Sequence, residues 1–181
     1  MANTRAVGLS RNKISDITQL VRSLFGLEEI LYFPVIQCIE VMAADDSVDF
    51  NYELVEPSEF SNTYATTNTE ENVMYIRSDV YDRAKEGSPR DRFTLCHELG
   101  HYFLHRPGTI GNARGEIPKY CEPEWQANTF AGELLAPRNL VGGMTPEEIS
   151  EKCGMSYTAA SIQYKYANKN VNRDVKGKPI T

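Results

Sequence analysis

The spacing of apolar side chains predicts an amphipathic helix near the N-terminus and strands after it. Apolar residues recur at helical spacing over 15–25, where Ser15 can cap the helix and Gly26 can end it. Residues 48–56 alternate between apolar and polar side chains, which predicts a half-exposed strand, and Val73–Arg77 predicts a second strand. The stretch between the two strands is rich in serine, threonine and asparagine and is expected to be a loop.

Proline and glycine mark the helices in the second half of the chain. Ser88 and Pro89 predict the start of a helix that runs to His105, because serine can cap a helix and proline suits its first position. The segment 107–121 is rich in glycine and proline and is expected to be a loop, and a further helix is predicted over 123–136. Two short helices follow. This order of a helix, strands and then helices is typical of an α+β fold.

Composition and charge limit the classes of function. The chain has 181 residues, 41% of them hydrophobic, enough to bury the core of one domain. The net charge of -6 argues against non-specific nucleic-acid binding as the main activity. The N-terminal segment lacks the apolar stretch of a secretory signal, and the longest uncharged apolar run, 30–39, is too short to span a membrane. The four cysteines are scattered along the chain. We therefore expect a cytoplasmic protein with free thiols and no membrane partner.

The motif HELGH, residues 97–101, carries the candidate chemistry. On a helix His97 and His101 lie on one face, about 6 Å apart, so both imidazoles can bind one zinc ion while Glu98 acts as a general base. Apolar side chains cover most of the predicted helix, so these polar groups are expected to be buried and to need a partner, which zinc would supply. The alternative is that two buried histidines and a glutamate occur together by chance.

His105 is the third histidine of this helix, but helix geometry excludes it from the same ion. Its backbone lies about 12 Å along the axis from that of His97, whereas the ligands of one zinc ion all approach it within about 2 Å. The third ligand must therefore come from another segment. His105 is expected to support a ligand or to be a satisfied histidine near the mouth of the cleft.

Helical phase selects Glu124 as the third ligand. At 100° per residue Glu124 falls inside the apolar stripe of the helix predicted over 123–136, whereas Glu133 falls on the opposite face and is expected to meet solvent. Glu122 precedes the helix. Only Glu124 is thus expected to point towards the core, where an ionised carboxylate needs a partner. The alternative for Glu124 is a buried ion pair with an arginine: Arg90, Arg92 or Arg114.

Two histidines, one glutamate and a water around zinc form an open site of the catalytic type. Zinc would lower the pKa of the water, and Glu98 would take its proton as the water attacks a peptide carbonyl. Asn128 could accept from the free N–H of a ligand imidazole and fix its tautomer. The strand Val73–Arg77 could pair with an extended substrate. A further donor to the oxyanion is expected from one of four residues: Tyr102, His105, Arg114 or Tyr120.

Two blocks of sequence, RDRFTLCHELGHYFLH and EPEWQANTFAGELLAP, resemble the ImmA/IrrE family of metallopeptidases over about 73–137. The resemblance implies a zincin-like core with a small mixed or antiparallel sheet, a zinc ion on His97, His101 and Glu124, and Glu98 as the catalytic base. Members of this family act in bacteria and on mobile elements, where they cut a partner repressor of the helix-turn-helix type, often under stress. It therefore implies a zinc endopeptidase whose partner is a transcriptional repressor.

The C-terminal helices look like a helix-turn-helix, which leaves two alternatives open. A helix that reads DNA carries basic or amide residues early, whereas this second helix begins Tyr157-Thr158. We therefore expect a helical pair at 144–168 that packs on a peptidase domain at 1–143 and does not bind DNA directly, and a flexible basic tail at 169–181.

An alternative function remains for the whole chain. A zinc-stabilised module could bind a repressor or DNA without cleaving anything. Such a module needs zinc ligands but no general base, so the presence of Glu98 favours an enzyme.

Overall fold

The computed structural model describes residues 3–60, 62–113 and 115–168, and it confirms the α+β class. The helices are α1 (Arg11–Leu24), α2 (Val35–Ala44), α3 (Ser78–Lys85), α4 (Pro89–Leu104), α5 (Pro123–Leu135), α6 (Pro146–Cys153) and α7 (Tyr157–Ala167). The strands are β1 (Asn3–Ala6), β2 (Asn51–Val55), β3 (Ala65–Asn68), β4 (Val73–Arg77) and β5 (Ile110–Ala113), and a 3₁₀ turn covers Lys119–Cys121. No helix among the described residues is long and apolar enough to cross a membrane.

The main sheet is mixed and has the strand order β2-β4-β3. β4 runs parallel to β2, with Met74 opposite Tyr52, and antiparallel to β3, with Tyr75 opposite Thr66. Because β4 is central, both of its edges are already hydrogen-bonded. The expectation that Val73–Arg77 pairs with a substrate is therefore wrong, and β3 is the edge strand that lies against α4.

A second, two-stranded sheet lies where the sequence predicted only a loop. β1 and β5 pair antiparallel, with Thr4 opposite Asn112. β5 falls inside the segment 107–121, and its residues are largely exposed. A short exposed strand has no buried face, so it shows no alternation of apolar and polar positions for a sequence pattern to detect.

The start of α1 differs from the sequence expectation. Ser10 caps the helix, since its hydroxyl accepts from the backbone N–H of Lys13 at 3.2 Å, whereas Ser15 is buried inside the helix. Gly26 follows the end of α1 at φ 65°, a left-handed conformation that glycine adopts without strain. At the start of α4, Ser88 donates its hydroxyl to Asp91 at 2.7 Å and does not cap the backbone.

α4 and α5 approach each other closely at Gly100. A Cβ atom built at this position would lie 3.0 Å from the Cα of Ala127 and 3.2 Å from the Cβ of Phe130. Ala127 and Ala131 are fully buried on the same helix. The small residues allow the first turn of α5 to lie beside the histidines of α4.

A buried arginine ties the C-terminal helices to α4. The Nε of Arg92 donates to the carbonyl of Gly154 at 3.0 Å, and its Nη2 donates to the carbonyls of Phe33 and Cys153 at 3.0 and 3.2 Å. The guanidinium also lies 3.8 Å from the ring centroid of Tyr32. These bonds satisfy a cation that is almost completely buried. The division into 1–143 and 144–168 stays a prediction, and the tail at 169–181 lies outside the described residues.

All four cysteines are free and buried, which confirms the expectation from their spacing. Burial raises the pKa of the Cys38 and Cys96 thiols to about 12 and that of Cys153 to about 11. At neutral pH these three thiols are therefore protonated and behave as small apolar side chains.

Candidate metal centre and active site

α4 brings His97, Glu98 and His101 together. The two Nε2 atoms of the histidines lie 3.0 Å apart, as expected for residues four apart on one helical face. One ligand atom from each of the three residues lies within 4.8 Å of the other two. Both histidine rings are half-buried and Glu98 is buried, so the two imidazoles are partly accessible to solvent and the carboxyl group of Glu98 is shielded from it.

Glu124 lies directly over the two histidines. Its carboxylate oxygens are 3.3 Å from Nε2 of His97 and 3.4 Å from Nε2 of His101. The side chain is 71% exposed, so the expectation that it points into the core is wrong. The apolar stripe of α5 does face α4, as the helical phase indicated. At the first turn of α5, however, the residues of α4 that lie opposite are the histidines, and Glu124 is exposed there.

Glu133 was expected to meet solvent and is instead fully buried. Its carboxylate lies 3.5 Å from Nε of Arg11 and 3.1 Å from Nη2 of Arg138. α1 covers the face of α5 that the helical phase assigned to water. A phase calculation locates the apolar stripe of a helix, but it does not show whether another element covers the opposite face.

A chain of hydrogen bonds determines the tautomer of His101. The amide nitrogen of Gln126 donates to the carbonyls of Val7 and Tyr120 at 2.8 and 2.7 Å, so the amide oxygen must face His105. At 3.0 Å from that oxygen, Nε2 of His105 is the donor and its Nδ1 is therefore an acceptor. Nδ1 of His101 lies 2.9 Å away and must carry the proton. Nε2 of His101 is left with a free lone pair.

Asn128 has the same effect on His97. Its side-chain oxygen lies 3.2 Å from Nδ1 of His97 and accepts a hydrogen bond from the N–H there, as the sequence suggested. Burial, with the neighbouring His97 and His105, lowers the pKa of His101 to about 3, so this ring is neutral at physiological pH. Both Nε2 atoms thus direct lone pairs at the same point.

A metal cation fits this arrangement. Two lone pairs 3.0 Å apart and a carboxylate repel one another unless a positive charge lies between them. In a tetrahedral zinc site with bonds of about 2.0–2.2 Å, neighbouring ligand atoms are roughly 3.3–3.6 Å apart. The separations of 3.0, 3.3 and 3.4 Å among His97, His101 and Glu124 are close to that value.

Glu98 is held beside this group by Thr67 of β3, a contact that the sequence did not reveal. The threonine hydroxyl donates to the Glu98 carboxylate at 2.9 Å. Burial raises the pKa of Glu98 to about 7; the hydrogen bond from Thr67 opposes this rise and the charge on Glu124 adds to it. A carboxyl group with a pKa near neutrality is well suited to accept and release a proton.

The four residues predicted as oxyanion donors differ in their surroundings. Tyr102 is buried and donates its hydroxyl to the carbonyl of Asp49 at 3.0 Å. His105 uses both nitrogens, on His101 and Gln126. The ring of Tyr120 is exposed. Arg114 lies outside the described residues.

A comparison with protein families extends the geometric result. The family model described as the IrrE N-terminal-like domain, peptidase family M78, matches residues 60–161. The chain belongs to this family. Membership of the M78 family confirms the resemblance found in the sequence and implies metallopeptidase activity, with a metal ion and a protein substrate. The match includes β3, α4, α5 and α6. No curated protein and no solved structure gave a significant match.

Proposed function

We propose that the protein is a zinc-dependent endopeptidase of zincin-like architecture that makes a specific cut in a protein partner, a helix-turn-helix transcriptional repressor. The observation that carries this proposal is the position of Glu98, a buried carboxylate next to two imidazoles that both direct lone pairs at one point. Metal binding alone needs the lone pairs but not a buried carboxylate beside them. The repressor as substrate rests on the resemblance to the ImmA/IrrE family.

His97, His101 and Glu124 would hold the zinc ion. Among the described residues, Glu98 is the other carboxylate that lies close enough to the two histidines to be considered as the third ligand. It is engaged by Thr67, whereas Glu124 lies within 3.4 Å of both imidazoles. We therefore assign Glu124 as the ligand and Glu98 as the base.

Zinc, when bound, lowers the pKa of a water molecule and polarises a carbonyl group. Glu98 accepts a proton from the attacking water and delivers it to the nitrogen of the leaving peptide, a transfer that its buried position favours. Thr67 keeps the carboxylate in place during both transfers. The outer edge of β3, with which no described strand pairs, offers backbone groups that can bind an extended peptide beside α4. Tyr120 remains the candidate among the described residues for a second oxyanion donor.

The experiment is incubation of the zinc-loaded protein with the repressor encoded next to its gene, followed by mass spectrometry of the products. We expect one cut with the wild type, none with Glu98→Gln and none after zinc is removed. Glu151→Gln changes an exposed glutamate on α6 and should cleave like the wild type. Binding of the repressor without cleavage by any of these proteins would instead support a non-cleaving regulatory module. We also propose a cytoplasmic location, because repressors act there.

A further inference from the structure

A groove of about 640 Å³ lies between α5 and α7. α5 contributes Trp125, Asn128, Thr129 and Gly132, and their spacing of three and four residues places them on one face of the helix. α7 contributes residues 159, 162, 163 and 166 at the same spacing, together with Lys165. Two helices thus face each other across a cleft large enough for more than one side chain.

The groove has an apolar lining with cations around it. Phe93, Trp125 and Ile162 supply its large apolar surface, and Ile162 is 48% exposed. The charged residues that line it, within the part of the chain that the structure describes, are all basic: Arg11, Lys119 and Lys165. This excess of positive charge contrasts with the net charge of -6 for the whole chain.

Two of these cations are not neutralised by the protein. Arg11 lies 3.5 Å from the carboxylate of Glu133. Lys119 and Lys165 are exposed, and neither has an ion-pair partner among the described residues. The two lysines therefore attract negative charge to a groove whose apolar lining gains stability when water is displaced from it.

The groove adjoins the metal centre. Asn128 lines the groove and accepts from Nδ1 of His97 at 3.2 Å. Phe93 also lines it and precedes His97 by one helical turn on α4. Asn128 therefore links the groove to His97, and a segment bound between α5 and α7 lies next to the metal centre.

We propose that this groove binds an acidic segment of the protein substrate, with large apolar side chains of that segment inserted between α5 and α7. This proposal rests on the proposed function, because it assigns the groove to the substrate of the same site. It defines a substrate preference: carboxylates near Lys119 and Lys165, and leucine-like or phenylalanine-like side chains against Trp125.

The C-terminal tail, 169–181, follows in sequence on α7, which lines the groove and ends at Ala167. Residues 169–181 contain four cations, Lys169, Arg173, Lys176 and Lys178, and one acid, Asp174. Their charge has the same sign as that of the lysines at the groove. Charge complementarity thus favours an acidic partner over the tail.

Trp125 is the single tryptophan of the chain, so its fluorescence reports on the groove and on the neighbouring first turn of α5, and the variants below separate the two. We would titrate full-length Glu98→Gln protein, which binds without cleaving, with a peptide made of glutamate, leucine and phenylalanine. A saturable change in Trp125 emission that weakens as salt is added is expected. A peptide with lysine for every glutamate, and one with serine for every apolar residue, should each bind at least about tenfold more weakly.

Variants locate the binding. Lys165→Glu and Ile162→Asp should each weaken binding of the acidic peptide by about tenfold or more. Lys85→Glu is the matched control: it changes a lysine on α3 outside the groove and should leave the binding unchanged. Equal binding of the acidic and basic peptides, or equal losses in Lys165→Glu and Lys85→Glu, would overturn the proposal. A change in emission on deleting 169–181, without any peptide, would assign the groove to the tail, and emission that depends on protein concentration would assign it to a second copy of the chain.

The two proposals fail separately. If the wild type cleaves the repressor but Trp125 does not respond to the acidic peptide, the groove proposal fails and the proposed function stands. If Trp125 responds as expected but no zinc-dependent cleavage occurs with any repressor fragment, the groove remains a binding site and the endopeptidase fails.

Discussion

The hydroxyl of Thr67 lies 2.9 Å from Oε2 of Glu98, which links the edge strand β3 to the candidate general base on α4. A hydrogen bond to a charged group contributes about 1.5–3 kcal/mol, so its loss lets the carboxylate leave its position. We expect Thr67→Val to lower kcat by about tenfold or more, with KM and zinc affinity unchanged. Steady-state kinetics and a zinc titration measure these quantities.

Thr67→Ser retains the hydroxyl and is the control for this variant. It should recover most of the activity that Thr67→Val loses. If both variants were equally slow, the methyl group rather than the hydrogen bond would be the part of Thr67 that matters.

Glu124 and Glu133 lie on one helix and should respond in opposite ways to substitution by alanine. Glu124→Ala should weaken zinc binding by more than about 100-fold, since loss of a supporting residue alone costs 10–100-fold. The zinc-free variant should unfold within about 0.5 kcal/mol of the wild type, because the side chain is 71% exposed. Competition with a chelator and urea unfolding measure the two effects.

Glu133→Ala should destabilise the protein by about 3–5 kcal/mol, because it leaves Arg11 and Arg138 without their carboxylate. Zinc affinity of the folded protein should be unchanged. Equal losses of zinc affinity in Glu124→Ala and Glu133→Ala would show that Glu124 acts through the fold and is not a ligand.

Gln126 should affect zinc binding without touching the ion, because it fixes the proton on His101 through His105. Gln126→Leu keeps the volume of the side chain and removes these hydrogen bonds. We expect zinc affinity to fall by about 10–100-fold. Gln163→Leu is the matched control, since Gln163 is equally buried and donates to the carbonyl of Ala136. It should lose similar stability, about 1–3 kcal/mol, and retain zinc affinity.

Asp91 should make the free energy of unfolding of the zinc-free protein depend on pH in the acidic range. Burial raises the pKa of Asp91, but hydrogen bonds from Arg83 and Ser88 outweigh it and hold the pKa below its ordinary value. A lowered pKa in the folded state gives stability that is complete above the unfolded pKa of about 3.9 and is lost as the pH falls through the folded pKa. Urea unfolding from pH 7 to pH 3 should show Asp91→Asn less stable by about 1–3 kcal/mol at pH 7. The difference should narrow towards pH 3; a constant difference would contradict the ionic cause.

Helix boundaries and the motif were accessible from the sequence because their signals are local. Pro89 and Pro123 each occupy the first position of a helix, and the spacing of His97 and His101 alone places both imidazoles on one face. The choice of Glu124 rested on helical phase, which gave the correct facing helix and the wrong degree of burial.

Thr67 and Gln126 could not be found in the same way. Thr67 meets Glu98 across 31 residues of sequence, and Gln126 joins the backbone of Val7 to His105. Such contacts depend on how elements pack, and neither residue carries a local pattern. The burial of Glu133 was missed for the related reason that α1, which covers it, is more than 100 residues away in sequence.

The bonds from Arg92 to the carbonyls of Cys153 and Gly154 set a lower limit on the size of a working fragment. A chain shortened after residue 143 would keep all of α4. The buried guanidinium of Arg92 would then retain only one of its three backbone acceptors, the carbonyl of Phe33. The smallest reagent worth producing for crystallisation or inhibitor screening therefore extends at least through Gly154, although every candidate zinc ligand lies on α4 or at the first turn of α5.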